Sequence, residues 1–166
     1  MGIEIVQGTL ADPRVRASLL RLLRENVLAS FATVDRRGRA YVNTAYYAWS
    51  ADWNLFYYSY PDSRHSSNLQ HNSSMAVAIF DSHQRWGRPD RGVQLFGTAS
   101  EARGKWRYTA AKVYGRRFPG YRKWRAEEVR REGSFALRPY RFQPFHAKVF
   151  DEPSLGGGRF IEVDIR

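Results

Sequence analysis

The sequence predicts a mostly β, α+β fold: an antiparallel sheet or small barrel with peripheral helices. Short runs rich in β-branched and aromatic residues follow one another without the strand–helix alternation of a parallel sheet. Residues suited to tight reversals separate them, as in Asp35-Arg36-Arg37-Gly38. Helical periodicity is confined to a few amphipathic segments. At 166 residues, 43% of them hydrophobic, the chain has the size of one domain, residues 1–166, with its core from about 20 to 150. Closing the sheet into a barrel would remove its exposed edges.

Asp12 reads as the N-cap of a helix to Asn26, with Pro13 at its first position and Val15, Leu19, Leu22 and Leu23 on one face. Val27 to Val34 and Arg39 to Trp49 form a hairpin. A second reversal at Ser50 to Asn54 leads into the aromatic run Leu55 to Tyr60, completing a three-strand meander. Pro61-Asp62-Ser63 breaks the extended pattern, and Asp62 or Ser63 caps a short helix to about His71, with Asn72 at its end. Met75 to Phe80 and Val93 to Ala102 are strands flanking a long, hydrophilic loop, which is expected to be mobile. Lys105 to Arg117 has helical spacing in Trp106, Ala110, Val113 and Tyr114. Phe118-Pro119-Gly120 ends it, and Tyr121 to Arg131 adds a short charged helix. Phe135 to Phe145 and His146 to Phe150 return to strand character. After Gly156-Gly157-Gly158, Ile161, Val163 and Ile165 share a face of the last strand.

Composition removes several chemistries. There is no cysteine, so disulfides, thiolate catalysis and Cys-ligated metals are excluded. His65, His71, His83 and His146 lack metal-ligand spacing, and no Gly-x-Ser-x-Gly elbow is present. No apolar run approaches a membrane span and no signal-peptide pattern begins the chain, so the expected location is cytoplasmic. The net charge of +11 favours anionic ligands, and 23 of the 27 basic residues are arginine, the side chain best suited to bidentate phosphate contacts. Surface arginines in an arginine-rich proteome would give the same composition.

The segment with most chemistry is Tyr57-Tyr58-Ser59-Tyr60-Pro61-Asp62-Ser63-Arg64-His65-Ser66-Ser67-Asn68-Leu69. It joins hydroxyls, a guanidinium and a helix N-terminus, which together suit phosphate. Arg64 would pair with the anion, Ser63 would donate its hydroxyl and His65 would add a donor. The alternative is an ordinary capped helix with Arg64 in water.

Set beside Gly38-Arg39-Ala40-Tyr41-Val42-Asn43-Thr44-Ala45, Leu55-Phe56-Tyr57-Tyr58-Ser59, Asn72-Ser73-Ser74-Met75-Ala76-Val77 and Gly92-Val93-Gln94-Leu95-Phe96-Gly97-Thr98-Ala99, this segment gives an ordered series. The series resembles the flavin split-barrel proteins similar to pyridoxamine 5′-phosphate oxidase over about Leu20 to Gly120, and the tail from Phe135 to Lys148 is compatible with their last strands. The resemblance implies an antiparallel split β-barrel and a homodimer with FMN at the subunit interface. Ser63, Arg64 and His65 would hold the phosphate, Asn43, Thr44 and Ala45 would line the isoalloxazine edge, and Tyr57, Tyr58 and Ser59 would frame the cofactor. Gln94 is placed near the ring by strand position alone. Related split-barrel proteins bind deazaflavin F420 or haem.

Two departures matter. His65 stands where many relatives have lysine, which makes phosphate binding pH-sensitive. The C-terminal Arg-Leu-His-type motif that holds a vitamin B6 substrate is missing, so the expected activity is oxidoreduction of another small molecule. The flavin supplies that chemistry, and no residue is assigned as acid or base. The alternatives are a flavin or haem carrier or sensor without turnover, or a nucleic-acid-binding module using the basic aromatic run Arg103 to Arg131. Against the last, Trp106, Val113 and Tyr114 fall at core-facing spacing.

Overall fold

The computed structural model describes residues 2–165. Its elements are β1 (Glu4–Gln7), α1 (Pro13–Glu25), β2 (Leu28–Val34), β3 (Ala40–Trp49), β4 (Leu55–Ser59), α2 (Arg64–Leu69), β5 (Ser74–Phe80), β6 (Arg91–Glu101), α3 (Lys105–Arg117), α4 (Tyr121–Glu132), β7 (Arg138–Asp151), α5 (Glu152–Leu155) and β8 (Arg159–Asp164). The strands run in the order β7-β4-β3-β2-β5-β6, and β6 pairs back onto β7, closing a six-stranded antiparallel barrel. The expected hairpin and meander are β2-β3-β4.

β7 makes the barrel split. It is one 14-residue strand, where two separate runs were expected. Its first part, Arg138 to Phe142, pairs with β4, and His146 to Val149 pairs with β8, while β6 follows its other edge throughout. Phe96 pairs with His146 and Gly97 with Pro144, so Phe145 is the extra residue of a bulge that redirects the strand. A Cβ at Gly97 would stand 2.1 Å from the Gln143 carbonyl oxygen, so the approach requires glycine. β8 in turn carries β1, which pairs with it in parallel and was not foreseen. The single turn α5 was also not foreseen.

The barrel interior holds Phe31, Tyr57, Phe142, Leu95 and Val77, and Val15, Leu19, Leu22 and Leu23 of α1 belong to the same core. α1 begins as expected, with Asp12 Oδ1 accepting from the Arg14 amide at 2.8 Å. A second core lies between the outer faces of β3 and β4 and the helices α3 and α4. It contains Ala48, Phe56, Ala110, Val113, Tyr114 and Tyr121, against which Trp106 packs. β4 is therefore covered on both faces, which explains its unbroken apolar run. No helix among the described residues is long and apolar enough to cross a membrane.

Candidate functional site

The corner between β4 and α2 is a hydroxyl–imidazole network. Ser63 is the N-cap of α2: its Oγ accepts from the Ser66 amide at 3.4 Å and lies 2.8 Å from Ser66 Oγ, which donates to the Tyr60 carbonyl at 2.8 Å. Asn72, expected at the helix end, instead accepts from the Ser74 amide, and Gln70 is the C-cap. His65 turns inward. Its Nε2 lies 2.6 Å from Ser59 Oγ and 3.1 Å from Ser63 Oγ, and burial pushes the imidazole pKa below its usual value. Ser59, Ser63 and His65 thus meet, while Arg64, between the last two in sequence, is exposed on another side. With α2 only six residues long and its Ser66 amide occupied by the cap, the positive charge here comes from guanidinium groups rather than a macrodipole.

Arg64 opens onto a groove of about 390 Å³ lined also by Asp35, Arg36, Arg37, Arg39, Ser67, Asn68 and His71. The β2–β3 turn supplies the first group. Asp35 Oδ1 accepts from the amides of Arg37 at 2.8 Å and Arg39 at 2.9 Å, and Gly38 takes φ 77°, a left-handed conformation that glycine adopts without strain. Those amides, chiefly that of Arg39, with the charges of Arg39 and Arg64 beside them, hold the Asp35 carboxyl below its usual range. Asn68 ties α2 to the barrel by donating to Thr33 Oγ1 at 3.0 Å. Among the described residues none of Arg36, Arg37, Arg39 and Arg64 forms a salt bridge, so four guanidinium groups border one groove around a single carboxylate. In the sequence the turn arginines carry only the signature of a reversal. Three arginines within five residues beside a strand end was the available signal.

The β3 candidates lie elsewhere. Asn43 pairs with Phe31, Thr44 with Ser30 and Ala45 with Ala29. Asn43 Oδ1 is buried with no hydrogen-bond partner. Thr44 is exposed on the outer face, in a row running through Ser30 and Ala78 to Gln94. Three strand spacings of about 4.8 Å separate Thr44 from Gln94, roughly 14 Å within one chain. Around that row the outer face presents Ser30, Ala32, Ala76 and Ala78, flanked by exposed Leu28, Val42, Tyr46 and Phe80. From Ala40 to Tyr46, β3 has a strand partner on one edge only.

Tyr57 and Tyr58 point to opposite sides of β4. Tyr57 is buried in the barrel with its ring 4.4 Å from Phe31 and 5.4 Å from Tyr140; its hydroxyl has no partner, and burial raises its pKa far above the usual phenol range. Tyr58 faces outward, edge-on to Tyr114 at 4.8 Å, and accepts from the Tyr121 hydroxyl at 2.6 Å. It lines a second, larger groove of about 820 Å³ with Ala45, Tyr46, Tyr114, Phe118 and Trp124. The aromatics between Arg103 and Arg131 thus serve mainly the second core and this groove, although Tyr108 remains exposed.

Comparison with known proteins agrees with this architecture. The haem storage protein HutZ from Vibrio cholerae is 18% identical, with a TM-score of 0.63 over 79% of this chain and 90% of that one. A protein from Clostridium acetobutylicum, related to general stress protein 26 and placed in the pyridoxinephosphate oxidase family, is 10% identical, with a TM-score of 0.65 over 92% and 94%. A haem-binding protein from Mycobacterium smegmatis is 16% identical, with a TM-score of 0.67 over 90% of this chain and 57% of that one. No curated protein matches the chain. At these identities the likeness establishes the split-barrel fold. The sequence profile of pyridoxamine 5′-phosphate oxidase, however, matches residues 15–143, from the α1 core residue Val15 through both sides of the β4–α2 corner to β7, and on that match the chain belongs to the pyridoxamine 5′-phosphate oxidase family.

Proposed function

We propose that this protein binds FMN and uses it to oxidise or reduce a small organic molecule, as a homodimer with the cofactor at the subunit interface. The observation that carries the reading is the groove where Arg64 meets Arg36, Arg37 and Arg39: concentrated, unpaired guanidinium charge suited to a phosphate ester. Arg64 and Arg39 hold the phosphate; Ser63 and His65 act from behind by fixing the turn that presents Arg64. Asn43, Thr44 and Ala45 follow the ring edge, with Thr44 exposed toward it. When bound, the flavin supplies hydride transfer; this chain binds and orients it.

The second subunit belongs on the outer face of β2 and β5. Small side chains there leave a smooth surface with an apolar rim, unlike the polar outer face of a solvated antiparallel sheet. The partner's Gln94 row would then approach the ring, which explains how residues distant in one chain serve one site.

Haem is the second reading, favoured by the likeness to HutZ and the mycobacterial haem-binding protein. Incubation with FMN, F420 or haem, followed by gel filtration and a visible spectrum, separates the readings. Retained flavin bands support the proposal; a retained Soret band or deazaflavin band alone overturns it.

A further inference from the structure

The positive charge of the chain is concentrated in one substructure. Residues 103–131, which hold α3 and most of α4, include eleven basic and two acidic side chains, so this segment carries +9 of the net +11. The inward face of α3 is taken up by the second core, through Ala110, Val113 and Tyr114. Its cations stand on the other side. Lys105, Tyr108, Lys112 and Arg116 follow one another at intervals of three or four residues, so they share one face of α3, and all are exposed, Tyr108 to 80%.

Beside this stripe runs a groove of about 600 Å³ between the two helices, to which α3 contributes Ala111 and Lys112 and α4 contributes Arg122, Arg125 and Ala126. Arg122 leans back onto α3: a Cβ at Gly115 would stand 3.4 Å from its Nε, so glycine there leaves the guanidinium room against the facing helix. The acidic residues of α4 do not neutralise this side. Glu127 is 4.0 Å from Lys123, and Glu128 and Glu132 both meet Arg131. Among the described residues Lys105, Lys112, Arg116 and Arg122 form no salt bridge. Like charges gathered in this way repel one another, and a polyanion relieves that repulsion.

The arrangement discriminates among polyanions. A helix that enters a lipid surface needs a broad apolar face, and that face of α3 is already buried in the protein. A single-stranded nucleic acid matches what is left outside: regularly spaced phosphates for a line of cations, and flat bases for the Tyr108 ring. We infer that the outward face of α3, together with the α3–α4 groove, binds single-stranded nucleic acid through its phosphates and one stacked base. Neither contact reads base edges, so the binding has little sequence preference. This surface shares no residue with the Arg64 groove, and the inference does not rest on the flavin reading.

The test is fluorescence anisotropy of end-labelled oligothymidine and oligouridine, about 20 nucleotides long to exceed a single site, titrated with the whole chain. Four phosphate contacts, from Lys105, Lys112, Arg116 and Arg122, predict a slope of about −3 for log affinity against log salt, a loss of roughly 60-fold between about 50 and 200 mM. Lys112→Gln combined with Arg122→Gln should bring the slope to about −1.5 and weaken low-salt binding about tenfold. Tyr108→Ala should weaken binding about tenfold and leave the slope unchanged, because stacking releases no counterions. All three side chains are exposed, and an unaltered near-ultraviolet circular dichroism spectrum in the double variant confirms its fold. Tighter oligouridine binding assigns RNA, tighter oligothymidine binding assigns DNA, and equal affinity assigns either strand; each supports the inference. No binding at about 50 mM salt overturns it, as does unchanged binding in either variant. Displacement of the oligonucleotide by saturating FMN overturns it too, because the strand then lies in the Arg64 groove. Phosphatidylserine vesicles or polyglutamate that compete equally at the same charge concentration also overturn it, in favour of an anionic membrane or an acidic polypeptide.

Discussion

The Ser59 hydroxyl and the His65 imidazole stand 2.6 Å apart at the end of β4, which turns His65 into the protein while its neighbour Arg64 faces out. This pair has a consequence for acid stability. Burial lowers the folded-state pKa of His65 below that of an unfolded histidine, about 6.5, so the unfolded chain binds the proton first. Stability is therefore full above that pH and falls as pH drops through about 6.5 toward the folded pKa. Thermal melts from pH 8 to 5 should show a steeper acid loss for the native protein than for His65→Gln. Parallel profiles would remove His65 as the cause.

Arg117 ties α3 to the end of α1. It donates to the Leu23 carbonyl at 2.7 Å and to the Asn26 carbonyl at 2.6 Å, with its guanidinium 4.7 Å from the Tyr47 ring and 4.5 Å from the Trp49 ring. Arg117→Met keeps the stem but leaves those carbonyls without this donor. It should cost about 2 to 3 kcal/mol in urea denaturation. A change under about 0.5 kcal/mol, the usual size for a surface substitution, would contradict the assigned role.

The barrel bulge gives a paired glycine test. Gly97→Ala drives a methyl into the Gln143 backbone, whereas Gly120→Ala meets nothing within 4 Å at an ordinary φ of −75°. The first should destabilise by about 3 kcal/mol or more, as overpacking against backbone does, and the second by under about 0.5 kcal/mol. Equal effects would mean that β6 and β7 do not approach as described.

The outer face of β5 tests the dimer. Ala76→Glu places a charge on the half-buried small surface without entering the barrel core. Sedimentation should show the native chain as a dimer and the variant as a folded monomer with weakened flavin binding, because a charge buried unpaired in an interface is strongly unfavourable. A native monomer, or a variant that stays dimeric, would move the interface elsewhere.

What the sequence disclosed followed from range. The start of α1 was legible because Asp12 and Pro13 act on the next few residues, and the β2–β3 reversal because Asp35 and Gly38 are local turn chemistry. β1 was not: four residues, mostly exposed, gain their partner from β8 at the far end of the chain. Phe135 to Phe145 and His146 to Phe150 read as strand, but the bulge at Phe145 did not show, because it depends on Gly97 of the neighbouring strand β6. Arg64 was legible as an anion-binding candidate, but its companions Arg36, Arg37 and Arg39 come to it through the way the β2–β3 turn lies beside α2. The opposite facing of Tyr57 and Tyr58 was implicit in the two-residue period of a strand. The larger groove could not be read, since it depends on how α3 and α4 dock on β3 and β4.

The central claim, a flavin phosphate held by Arg64 and its neighbours, is tested most directly by comparing FMN with riboflavin, which lacks the phosphate, in fluorescence titrations of the native protein and Arg64→Ala. The account predicts that the native protein prefers FMN by about 10- to 100-fold, the scale of one or two charge-assisted contacts, and that Arg64→Ala removes most of that preference while leaving riboflavin affinity unchanged. Equal affinity for the two flavins, or an FMN preference that survives the substitution, would contradict it.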